Sequence, residues 1–72
     1  MQTVNVIEYK ADTVISLRAW NEDTEGNEIA SNTFKDIIKE CDPDVPKAEI
    51  KDMLDEGFYE QGDYQLFLVH SS

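Results

Sequence analysis

The sequence has 72 residues, of which 40% are hydrophobic, and its sixteen acidic and six basic residues give a formal net charge of −10. A chain of this size supports one small domain with a single core. The charge excludes direct binding to nucleic acid or to an anionic membrane, and it favours association with basic protein surfaces. We therefore expect one compact domain over residues 1–72.

The cellular compartment is suggested by cysteine content and by the first residues. Cys41 is the single cysteine, which cannot form an internal disulfide and suits a reducing compartment. The opening residues MQTVNVIEYK lack the basic and apolar regions of a signal peptide. No apolar run approaches the roughly 18 residues that a membrane span requires. We expect a soluble cytoplasmic protein.

Two runs rich in β-branched and aromatic residues open the chain. They extend from Thr3 to Tyr9 and from Thr13 to Trp20, and the short turn Lys10-Ala11-Asp12 separates them. This pattern predicts an N-terminal β-hairpin. A third run of the same kind, from Tyr64 to His70, predicts the last strand.

Between these strands the apolar period changes to that of a helix. The apolar positions recur at intervals of three and four residues, as a helix requires: Ile29, Ala30, Thr33, Phe34, Ile37, Ile38 and Cys41. Asp23 or Thr24 can cap this helix, and the two prolines of CDPDVP end it. A second, shorter helix is predicted from Lys47 to Glu56, with Gly57 as its C-terminal stop.

The element order ββααβ predicts an α+β fold in which two helices pack on one face of a three-stranded, mainly antiparallel sheet. If successive elements reverse direction, the segments NEDTEGNEIASN and DEGFYEQGD lie at the same end of the molecule. Their acids then gather around Trp20, Phe58 and Tyr59; these acids are Glu22, Asp23, Glu25, Glu28, Asp55, Glu56, Glu60 and Asp63.

The strands carry apolar residues on both faces. In the first strand Val4 and Val6 are expected on one face and Ile7 and Tyr9 on the other. In the second strand one face is expected to carry Ile15, Leu17 and Ala19, and the other Val14 and Trp20. Two helices cover only one face, so the other face is predicted to be partly apolar and available to a second copy or a partner. The alternative is that two-sided strands curl around a very small core.

The run Asn21 to Asn32, NEDTEGNEIASN, partly matches a calcium-binding loop, with Asn21, Asp23, Glu25 and Gly26 at positions one, three, five and six. Position twelve is Asn32 where a glutamate should close the site, and the preceding element is a predicted strand. We interpret the run as a strand-to-helix turn without a metal.

Cys41 and His70 are the candidates for a nucleophile and a base, and the predicted topology puts them at opposite ends. No second cysteine or histidine is available for a metal site, and no glycine-rich phosphate loop is present. The sequence therefore predicts neither an enzyme nor a cofactor.

The acidity supports one hypothesis of function. Lys51 and Asp55 can form an ordinary i,i+4 ion pair, whereas Asp36 with Glu40 and Asp52 with Glu56 are repulsive i,i+4 pairs. Carboxylates along helices can imitate phosphates and occupy the basic channel of a nucleic-acid-handling protein. In size and charge the chain resembles small inhibitors produced by phages and mobile elements, including some anti-CRISPR and DNA-mimic proteins. The predicted partner-binding residues are Trp20, Glu22, Asp23, Glu25, Glu28, Glu56, Phe58, Tyr59, Glu60 and Asp63.

The second hypothesis is a small structural or adaptor subunit. It would homodimerise, or dock on a partner, through the uncovered sheet face or through the edge of the last strand.

Overall fold

The described residues form an α+β domain of two helices and four antiparallel strands. The computed structural model describes residues 3–71. The elements in chain order are β1 (Thr3–Lys10), β2 (Thr13–Asn21), α1 (Thr24–Cys41), α2 (Lys47–Glu56), β3 (Phe58–Gln61) and β4 (Tyr64–Ser71). The predicted class and both helices are confirmed. The prediction of three strands is wrong, because the sheet has four strands in the order β2-β1-β4-β3.

The additional strand, β3, forms a hairpin with β4 through the two-residue turn Gly62-Asp63. Gly62 has φ +60°, a conformation that glycine adopts without steric cost. Two strand-like runs separated by Gly-Asp are a recognised hairpin signal, which the sequence analysis missed. The hairpin makes β4 antiparallel to β1, with Lys10 opposite Tyr64.

The core lies between the helices and one face of the sheet. Phe34 and Ile38 of α1 are completely buried against Val4 and Val6 of β1, and Ile50 anchors α2. Leu66 and Tyr59 complete this face on β4 and β3. Neither helix within residues 3–71 has the length and apolar character needed to cross a membrane.

The turn from β2 into α1 confirms the interpretation of NEDTEGNEIASN. Asp23 is the N-cap, and its Oδ1 accepts a hydrogen bond of 2.6 Å from the backbone N–H of Gly26. A Cβ added to Gly26 would lie 1.9 Å from the carbonyl oxygen of Asn21. The glycine therefore lets the helix begin immediately beside the end of the strand.

The β1–β2 hairpin turns at Ala11 and Asp12, both of which have positive φ. Close to this turn the register shifts between Glu8 and Tyr9, so that Ser16 pairs with Glu8 and Val14 with Tyr9. Ile15 is the extra residue of this bulge, which places Val14 on the same face as Tyr9. The prediction that Val14 faces away from Ile15 and Leu17 is therefore wrong.

We expect Gly26→Ala to lower the free energy of unfolding by about 2–4 kcal/mol, because the new Cβ would collide with backbone and force the helix start to move. Urea denaturation monitored by circular dichroism would measure the loss. Gly62→Ala is the matched control: it has open space around the added Cβ but a positive φ, so it should cost only about 1–2 kcal/mol. An equal or smaller effect at Gly26 would contradict this account of the turn.

Candidate interaction surfaces

Part of the predicted partner-binding set does come together where β2 meets α1. Trp20 is half-buried against the core, and with Asp23, Glu25 and Ile29 it lines a shallow depression of about 190 Å³. Glu22 lies beside it and contacts His70, with 3.0 Å between Oε1 and Nδ1. We call this region, residues 20–25 with His70, the α1 end of the molecule. Glu28 lies further along α1 and is exposed.

The remaining predicted acids lie elsewhere. The backbone N–H of Ala11 donates to the carbonyl of Asp63 at 3.0 Å, which places Asp63 beside the β1–β2 turn. The seven-residue rise of β1 separates this end from the α1 end by about 23 Å. Glu60, in β3, is near the same turn, and Glu56 ends α2 beside the middle of β4. The prediction that all these acids share one end is wrong, because β3 returns the chain to the opposite end.

The two predicted aromatic anchors of β3 face opposite sides of the sheet. Phe58 is 36% exposed on the side away from the helices, where its ring centroid lies 5.1 Å from that of Phe67. Tyr59 is 5% exposed and belongs to the core, and its hydroxyl donates to Oε1 of Gln61 at 2.5 Å. Only Phe58 of this pair presents a surface to a partner.

The sheet surface away from the helices is apolar, and no described residue covers it. Leu17 is 61% exposed, Val14 53% and Ile15 49%, so the strands do not curl to bury them. We call this surface the open face. The strand register and side-chain alternation place eight large apolar residues on it: Ile7, Tyr9, Val14, Ile15, Leu17, Phe58, Phe67 and Val69. The predicted uncovered apolar face is confirmed.

The open face is also nearly free of charge. Its described polar and small positions are Thr3, Asn5, Ala19, Asn21, Glu60 and Gln65. Glu60 is the one charged residue among them, and its Oε2 accepts a hydrogen bond of 3.0 Å from Nε2 of Gln65. Charged residues make up 31% of the whole chain, so the charge is concentrated on the helices and at the ends of the sheet.

Most of the acids have no basic partner. Within residues 3–71, Arg18 forms an ion pair with Glu8 at 3.7 Å, and His70 contacts Glu22 at 3.0 Å, which is an ion pair only when the imidazole is protonated. The other fourteen acids have no basic nitrogen within 4.0 Å among the described residues, and the predicted pair of Lys51 with Asp55 does not form. The negative field of the protein is therefore largely unneutralised.

The basic residues, in contrast, are concentrated in one place that the sequence analysis did not identify. The two helices form a groove of about 350 Å³ between them, lined by Lys35, Lys39, Lys47, Lys51, Ile50 and Leu54. Four of the six basic residues of the chain line this groove. The sequence does contain a signal for this groove, because each helix carries a pair of lysines with i,i+4 spacing.

A small buried polar cluster lies on the helix side of the sheet. Glu8 is only 7% exposed, and its Oε1 has no hydrogen-bond partner among the described residues because Nη2 of Arg18 is 3.7 Å away. Ser16, opposite Glu8 on β2, also has an unpartnered buried oxygen. Burial raises the pKa of the nearby Tyr64 to about 12, and the negative charge of Glu8 adds to this effect.

The cysteine and the histidine lie at opposite ends of the molecule. Cys41 is the last residue of α1, whereas His70 lies at the α1 end, where that helix begins. Burial, with a contribution from Glu40, raises the pKa of the Cys41 thiol, which lowers its thiolate fraction and its reactivity. Within residues 3–71, no three His, Cys, Asp or Glu side chains form a group that could hold a metal ion.

The raised pKa of Tyr64 gives the stability a pH dependence. Because the folded-state pKa of about 12 exceeds the ordinary value near 10, the unfolded state loses this proton first as pH rises. The contribution of Tyr64 to stability should be complete below pH 10 and should disappear as pH rises through 12. Urea denaturation between pH 9 and 12 should therefore show a steeper fall for the wild type than for Tyr64→Phe. Parallel curves for the two proteins would contradict this assignment.

No family model matches the chain, and no curated protein or solved structure matches it either.

Proposed function

We propose that this chain is a non-enzymatic binding protein that docks its open face on a partner protein whose apolar surface has a basic rim. The observation that carries the proposal is the exposure of Leu17, Val14 and Ile15 at about half or more of their surfaces. Single exposed apolar residues are common, but a contiguous set of this kind marks an interaction surface.

The size of the open face is suitable for a protein partner. Strands about 4.8 Å apart that rise about 3.3 Å per residue give a projected area of roughly 450 Å². Protruding side chains and a surrounding rim increase the accessible area towards the about 800 Å² that each partner buries in a standard interface. The aromatic row of Tyr9, Phe67 and Phe58 would form the centre of the contact, because packed aromatic rings contribute much of the binding energy in interfaces.

The charge of the chain favours a basic partner. Acids at the two ends of the sheet flank a nearly uncharged contact surface, so they would steer a basic protein towards it and repel an acidic one. Acids lie at both ends of the sheet, with Glu22, Asp23 and Glu25 at one and Glu60 and Asp63 at the other.

Proteins that handle nucleic acid carry such basic surfaces, so we propose an inhibitor that blocks one of them. The lysine-lined groove interrupts the acidic surface of the helices. For this reason the proposal assigns the contact to the sheet and the steering to the acids, and it does not depend on an unbroken strip of phosphate-like carboxylates.

A homodimer through the open face is the second candidate. The observation in its favour is that Glu60 is the single charged residue among the described positions of that face. Most acids lie on the helix side, so their repulsion across a face-to-face dimer would be strongly reduced beyond the Debye length of about 8 Å at physiological salt. A dimer would therefore strengthen as salt rises, whereas binding to a basic partner would weaken.

We expect Leu17→Asp to weaken partner binding strongly, since it puts a charge on the most exposed large apolar residue of the open face while disturbing little of the core. A photo-cross-linking residue at position 17 would first identify the partner in a lysate of the source organism. The purified partner would then be titrated with the wild type and the variant, and we expect at least a tenfold increase in Kd, or about 1.4 kcal/mol.

Ile29→Asp is the matched control, because Ile29 is a 38% exposed apolar residue on α1 outside the open face. It should leave Kd unchanged. The triple reversal of Glu22, Asp23 and Glu25 to lysine should mainly slow association, and 0.5 M salt should do the same. Sedimentation that shows a salt-strengthened dimer, disrupted by Leu17→Asp, would replace the inhibitor proposal with the homodimer. Insensitivity of partner binding to Leu17→Asp would exclude the open face.

A further inference from the structure

We propose that the groove between α1 and α2 is a second binding site for an acidic peptide segment of a protein partner. The bound segment would carry an apolar side chain between its carboxylates. The groove has a volume of about 350 Å³, four lysines at its rim and an apolar floor of Ile50 and Leu54. This site goes beyond the proposed function, because it lies on the helix layer and not on the open face.

The concentration of positive charge in the groove is unusual for this chain. Acids outnumber bases sixteen to six, yet four of the six bases line a single groove. None of these four lysines has a carboxylate oxygen within 4.0 Å among residues 3–71. The lysines are thus available to an external anion and are not used in pairing the acids of the protein itself.

The spacing of the lysines adds a second argument. Lys35 and Lys39 form an i,i+4 pair on α1, and Lys47 and Lys51 form another on α2. Like-charged pairs at this spacing destabilise a helix slightly, and here two of them border the same groove. An anion bound between the helices would relieve both repulsions together.

The floor of the groove identifies the occupant more closely. Ile50 is 5% exposed and belongs to the core, while Leu54 is half-buried, so an apolar surface continues from the core to the groove. Free phosphate would gain nothing from this floor. A leucine-sized side chain would cover it, and flanking glutamates or aspartates would reach the lysines.

The shape and the overall charge exclude other anions. Small-ligand sites bury most of the surface of their ligand, whereas this groove is open to solvent along the helices and suits a peptide. Nucleic acid would have to approach a protein with a net charge of −10, and its long-range repulsion acts against such an extended polyanion. A short acidic peptide also meets this repulsion, but it carries fewer charges and its carboxylates need contact only the lysines of the groove.

The experiment uses fluorescence anisotropy with a labelled 12-residue peptide in which leucines spaced four residues apart are flanked by glutamates. We expect saturable binding at low salt, and at least about tenfold weaker binding to the double variant Lys39→Gln/Lys51→Gln. Lys10→Gln is the matched control, because Lys10 is exposed at the end of β1, outside the groove, and it should leave Kd unchanged. Circular dichroism would verify that the variants are folded.

Two further peptides separate charge from apolar contact. Replacing the leucines by serine, or the glutamates by glutamine, should each weaken binding about tenfold or more. Equal competition by pyrophosphate or by a 12-nucleotide DNA strand would show a general anion site and overturn the proposal. It would also be overturned by the absence of peptide binding up to 1 mM, or by self-association that is lost in the lysine double variant. Leu17→Asp should not change the affinity for the peptide. A failure of the groove proposal can therefore be distinguished from a failure of the open-face proposal.

Discussion

Two helices packed on the same side can cover only one face of a four-stranded sheet, and the organisation of this molecule follows from that limit. α1 crosses the sheet and buries Phe34 and Ile38 on Val4, Val6 and Leu66, while α2 reaches the core through Ile50. After the core is filled, residues 3–71 contain no further element that could cover the other face. Folding therefore leaves the apolar residues of that face exposed, and exposed apolar surface on a chain this small favours association.

The local patterns of the sequence were sufficient for most elements. The three- and four-residue spacing from Ile29 to Cys41, the prolines after it and Gly57 define the helices, because each signal acts within one or two turns. The turn after Asn21 was also predictable, since Asp23 is a good N-cap and the calcium ligand set is incomplete.

The predicted arrangement is wrong where one short element changes the direction of the chain that follows it. β3 has four residues and carries Tyr59 into the core, and its Gly62-Asp63 turn reverses the chain. A prediction without β3 therefore places Glu60 and Asp63 at the wrong end of the molecule. The bulge at Ile15 had a similar effect on Val14, because a single extra residue changes the face of its neighbour. The lysine groove was missed for another reason: it depends on how two helices pack, which the spacing within each helix does not specify.

The distribution of charge gives the two sides of the molecule different chemistry. The open face is apolar and has acids at both ends of its strands. The helix layer presents four lysines over an apolar floor, and none of them has a carboxylate oxygen within 4.0 Å among residues 3–71. The sheet lies between them, so a ligand on one side does not block the other. A basic partner on the sheet would neutralise acids and thereby reduce the long-range repulsion that an acidic peptide meets as it approaches the groove. Binding on the two sides should then be mutually favourable at low salt and independent at high salt, because the coupling is carried by the electrostatic field and not by a change of conformation.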